Sequence, residues 1–84
     1  MKPVTLSPHA ASKLVRRGTS TAEIETALRE AEWQPARHGR LECRKDFEFD
    51  SEWNGRHYTT KQVHPVFVDE PDEIVVVTVY VYYF

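Results

Sequence analysis

Cysteine is almost missing from this chain. Cys43 stands alone, which excludes an intrachain disulfide and any zinc site built on several cysteines, and leads us to expect a reducing, cytoplasmic setting. Glycine is scarce too, at three residues, and they are never clustered, so there is no glycine-rich loop to cradle a nucleotide phosphate. The four histidines do not fall at zinc-ligand spacings, and no Ser-His-Asp order appears. No metal or cofactor is therefore expected. The opening "MKPVTLSPHA" has Pro3, Ser7, Pro8 and His9 where a signal peptide would need an apolar segment. The one uninterrupted apolar run, "IVVVTVYVYYF" from Ile74 to Phe84, is about half of what a bilayer-spanning helix needs. Membrane association is not expected.

What is present fits one domain over residues 1–84. Hydrophobic residues make up 40% and charged residues 29% of its 84 positions, enough for a single small core. The net charge of −2 hides an asymmetry. Residues 1–45 carry nine Lys/Arg against five Asp/Glu, net +4; residues 46–84 carry two against eight, net −6.

The first third reads as a helical hairpin. Ser7-Pro8 is a helix start, with Ser7 as N-cap and Pro8 in the first turn. Ala10, Ala11, Leu14 and Val15 recur at helical spacing until Gly18 ends the helix behind Arg16-Arg17. Ser20-Thr21-Ala22-Glu23 is a capping box opening a second helix, with Ile24, Ala27, Leu28 and Ala31 as its apolar stripe. Glu25 and Arg29 are placed for an ion pair one turn apart. The spacing predicts helices over 8–17 and 20–32.

Strands follow. "WQPARHG" is a short irregular strand bracketed by Pro35 and Gly39, and "LECRKDFEFD" alternates Leu41, Cys43, Lys45, Phe47 and Phe49 on one face with charged residues on the other. Asn54-Gly55 marks a hairpin turn. "HYTTKQVHPVFVD" is a strand in which Pro65 implies an edge position or a bulge. The final run is an inner strand, and strict alternation puts Ile74, Val76, Thr78, Tyr80, Tyr82 and Phe84 on one face. The fold class is α+β, an N-terminal helical hairpin packed on an antiparallel sheet of about four strands. The second sheet face then needs a curled edge, a second copy or a partner to cover it.

"SPHAASKLVRRGTSTAEIETAL", "RLEC" and "KQVHPVFVDEPDEIVVVTVYVYYF" together resemble a DUF-type family of small bacterial proteins grouped with the BrnT-like toxins of the RelE/ParE superfold. The resemblance covers nearly the whole chain. It implies a RelE/BrnT-like fold, a toxin of a bacterial toxin–antitoxin module, RNA cleavage without a metal, and an antitoxin protein that covers a basic surface.

Such cleavage activates a 2′-hydroxyl, stabilises a charged phosphorane and protonates a leaving oxygen, work suited to histidine, lysine and arginine. Candidate catalytic residues are His9, His64 and Lys45. Candidate RNA phosphate ligands are Lys13, Arg16 and Arg17 on the first helix, and Arg37, Arg40 and Arg44 in "ARHGRLECRK". Each has a plainer reading: a solvated helix face, a lysine at a strand end, a packed histidine. Cys43 reads as a core residue. His57 and Lys61 share a strand face that His64 does not. Two functions follow: a toxin acting as a metal-independent ribonuclease, or a non-catalytic module that binds a protein or dimerises through its sheet face. The basic segment favours the first, the acidic total the second.

Overall fold

A computed structural model describes all 84 residues. Its strands are β1 (Val4–Leu6), β2 (Gln34–Pro35), β3 (Leu41–Glu42), β4 (Lys45–Trp53), β5 (Arg56–Asp69) and β6 (Ile74–Tyr83). Helices α1 (Pro8–Arg17) and α2 (Thr21–Glu30) follow β1, and one turn of 3-10 helix spans Arg37–Gly39.

Both helices form where their caps put them. The Ser7 hydroxyl accepts from the Ala10 N–H, and Ser20 accepts from the Glu23 N–H. The Glu23 carboxylate does not close the capping box. It takes Thr19 Oγ1 and the Lys61 ammonium instead. Glu25 and Arg29 do not pair either, because Arg29 turns to Glu30 and Thr26. Gly18 ends α1 at φ +77°, and a Cβ there would lie 2.7 Å from the Trp53 ring, so backbone and packing both demand glycine.

The sheet has six strands in mixed orientation, not about four in an antiparallel arrangement. Its order is β1-β6-β5-β3-β2, with β4 also paired to β5. The parallel member is β1, whose three residues pair with Ile74–Val76. Reaching α1 straight from a strand lets the chain lay β1 beside β6 without a hairpin.

Strict alternation along β6 fails at one point. Val66 pairs with Thr78 but Phe67 pairs with Val76, which leaves Val77 over as a bulge. The extra residue reverses the parity of everything after it. Ile74 and Val76, then Val79, Val81 and Tyr83, face the helices, while Thr78, Tyr80 and Tyr82 face away. A run without clean alternation thus serves two faces in succession.

Pro65 belongs neither to an edge strand nor to that bulge. It sits fully buried in β5, the middle of the sheet. Thr60 and Phe84 exchange both backbone bonds, so even-numbered β5 residues bond β6 and odd-numbered ones turn to the other side. There Pro65 meets the break between β3 and β4. Its carbonyl accepts from the Cys43 N–H, but its missing N–H cannot return the second bond of that pair, and the ladder is interrupted there while the register runs on from Leu41 to Lys45.

The core lies between the helices and one sheet face. Ala10, Ile24, Ala27 and Leu28 meet Val63, Phe67, Ile74, Val76 and Val79 there, with Cys43 beside them. Trp33 packs edge-on against Phe67 and donates its indole N–H to the Leu28 carbonyl. The alternation of Leu41, Cys43, Lys45, Phe47 and Phe49 holds across the break, all five on the helix side. None of the helices is long and apolar enough to cross a membrane.

Candidate functional site: a basic cleft on the outer sheet face

The sheet face away from the helices carries no second layer. Tyr80 and Tyr82 stand 39% and 45% exposed on it. Between them and β3 lies a cleft of about 360 Å³ lined by Arg37, His38, Arg40, Glu42, His64 and Tyr80, among others. Two local features build it. The 3-10 turn, with His38 at φ +60° and Gly39 at φ +70°, folds "ARHGR" back over the face. The regular pairing of His64 with Tyr80 points both side chains outward.

His64 is 5% exposed. Its Nε2 lies 2.5 Å from Glu42 Oε1, and its ring centroid lies 5.5 Å from that of Tyr80 and 6.2 Å from that of Tyr82. Burial pushes its pKa below the usual histidine value, with the Arg44 guanidinium acting in the same direction and Glu42 opposing both. The other ring nitrogen, Nδ1, is buried and has no hydrogen-bond partner. An orphaned buried nitrogen is uncommon in a folded protein and calls for an explanation.

The cations sort themselves by pairing. Lys2, Arg29, Arg44, Lys45 and Lys61 each meet a carboxylate. Lys13, Arg16, Arg17, Arg37, Arg40 and Arg56 form no ion pair within the chain. Five of those six belong to the phosphate ligands expected from sequence. Arg37 and Arg40 line the cleft. Arg17 does not line the cleft but lies over the ring of Tyr80, which does, 5.2 Å from the centroid. Arg44 stands beside Glu42 at 3.8 Å. Lys13 and Arg16 remain on α1, outside the cleft.

The expected catalytic residues do not come together. His64 is in the cleft. His9 is exposed in the first turn of α1, and Lys45 lies on the helix side of β4, 3.4 Å from Glu30. Neither lines the cleft. Sequence reasoning missed Glu42 and passed over His38. Glu42 sits at a polar position of an alternating strand, and its pairing with a histidine 22 residues away leaves no local signal.

Two other groups prove structural. Lys61 is 8% exposed, with its ammonium 2.8 Å from Glu23 and 3.0 Å from the Gly18 carbonyl. Cys43 is buried against the Ala27 carbonyl, and burial raises its thiol to about 11, so it stays protonated and inert. Groups of three or more residues able to hold a metal are absent. Compared with protein-family models, with curated proteins and with solved structures, the chain matches none of them.

Proposed function

We propose that the chain is an RNA-acting toxin of the BrnT/RelE type, cleaving without a metal at the outer-face cleft. One observation carries the reading: unpaired arginines line a cleft that also holds a buried, incompletely bonded imidazole. Cations that find no carboxylate in a chain with more acids than bases are free for an external anion. Arg37 and Arg40 would hold the scissile phosphate and stabilise the phosphorane as charge develops. His64, His38 and Glu42 supply two imidazoles and a carboxylate for the two proton transfers. An antitoxin covering the outer face would occlude the cleft together with Tyr80 and Tyr82.

Expression in a host lacking the antitoxin tests this. The wild type should arrest growth and cleave RNA, and the double variant Arg37→Ala, Arg40→Ala should do neither while folding normally. Growth and RNA both unaffected by the wild type would overturn the reading.

The uncovered outer face favours a second reading, a non-catalytic module whose exposed Tyr80 and Tyr82 bind a protein or a second copy of the chain. Sedimentation at several concentrations and pull-down separate it from the first.

A further inference from the structure

The orphaned nitrogen of His64 has a chemical consequence for the cleft. A neutral imidazole lies buried beside Arg44; burial first, and that guanidinium second, oppose its protonation, while Arg37 and Arg40 stand on the cleft walls. Only Glu42 favours the charged form. An anion held by the two wall arginines would bring a negative charge into the cleft and so favour the imidazolium. Nδ1 is the atom able to take the proton, because Nε2 already engages Glu42.

We propose that the cleft is a proton-coupled phosphodiester site, in which a bound phosphodiester draws a proton from solvent onto His64 Nδ1. This rests on reading the cleft as a phosphate site and adds to it a direction of proton flow. The imidazolium so formed is a third cation beside the phosphate. It is also a proton donor, present only when substrate is, which suits His64 to protonating the leaving oxygen. Glu42 or His38 then remains as the base.

The sign follows from linkage. If binding raises the proton affinity of His64, the complex is tightest at low pH, and the advantage fades as pH rises through the titration of the bound form. The groups facing His64 are Glu42 on β3, Arg44 just after it, Tyr80 and Tyr82 on β6, and Arg37, His38 and Arg40 on the turn. Of these, His38 is the other imidazole, and its ring signals must be assigned apart from those of His64.

The test is an NMR titration of the wild-type protein labelled in its histidine rings, with and without a thymidine dinucleotide. That probe lacks a 2′-hydroxyl, so it is not cleaved, and its phosphodiester keeps one charge throughout. Saturating dinucleotide should move the His64 titration upward by about one unit, and affinity should weaken by up to about tenfold between pH 5 and pH 8. His38→Gln should preserve the effect, and Arg37→Ala with Arg40→Ala should abolish binding. Binding that needs both arginines but leaves the His64 titration in place would overturn the coupling while sparing the phosphate site. Failure of the dinucleotide to bind at all would overturn both.

Discussion

Lys61 and His64 are three residues apart on one strand, both buried, both titratable, and they face opposite sides of the sheet. On the helix side every need of Lys61 is met. Glu23 balances its charge, the Gly18 carbonyl accepts a hydrogen bond from it, and the Phe49 ring lies 5.4 Å from the ammonium. On the outer side His64 has one partner and one orphaned nitrogen, with unpaired arginines around it. A charge buried and fully bonded belongs to the fold. A group buried and left incomplete, among cations that the chain does not neutralise, is the mark of a site. The difference between the faces separates what holds the protein together from what it offers to a partner.

Substitutions can break that comparison, starting with the largest effect. Phe67→Ala empties the centre of the helix-side core beneath Trp33 and should cost about 3–5 kcal/mol in denaturant unfolding. Next comes Lys61→Met, which leaves the Gly18 carbonyl without a donor and Glu23 with Thr19 alone. A loss of about 1–3 kcal/mol is expected from those groups. A neutral outcome would mean that the lysine is dispensable for folding, and the contrast with His64 would lose one of its sides.

Smaller effects belong to the outer face. Because His64 titrates lower in the fold than in the unfolded chain, the unfolded state binds the extra proton first as pH falls. Stability should therefore be at its full value above the unfolded histidine value of about 6.5 and decline as pH drops toward the folded one. His64→Gln should flatten that part of the pH profile of the melting temperature. Smallest of all, Arg37→Ala with Arg40→Ala should shift stability by no more than about 0.5 kcal/mol, since both side chains are exposed and unpaired. Thermal unfolding checks this directly. A large loss would make those arginines part of the fold.

Local chemistry was legible in the sequence. Ser7, Pro8 and Gly18 bound α1 at the expected residues, Ser20 starts α2, and Asn54 and Gly55 both take positive φ at the hairpin turn. Each of these signals acts within a few residues of itself. What stayed hidden depends on partners far along the chain. The parallel seat of β1 needs the last strand, and the gap between β3 and β4 needs Pro65 opposite Cys43. The Val77 bulge reverses a face that strict alternation assigns the other way. The same limit applies to the site. A dense basic segment announces Arg37 and Arg40, but only the fold sets them across from His64, and only the fold sends Lys45 to Glu30 on the opposite face.

Chemical-shift mapping of the amide spectrum with a short single-stranded RNA tests the central claim most directly, because it sets the outer-face cleft against the α1 stripe of His9, Lys13 and Arg16. The account predicts shifts concentrated at Arg37 through Glu42, His64, Val66, Thr78 and Tyr80, fading as salt rises because the contact is to phosphate. Shifts confined to α1, or no shifts at all, would contradict it.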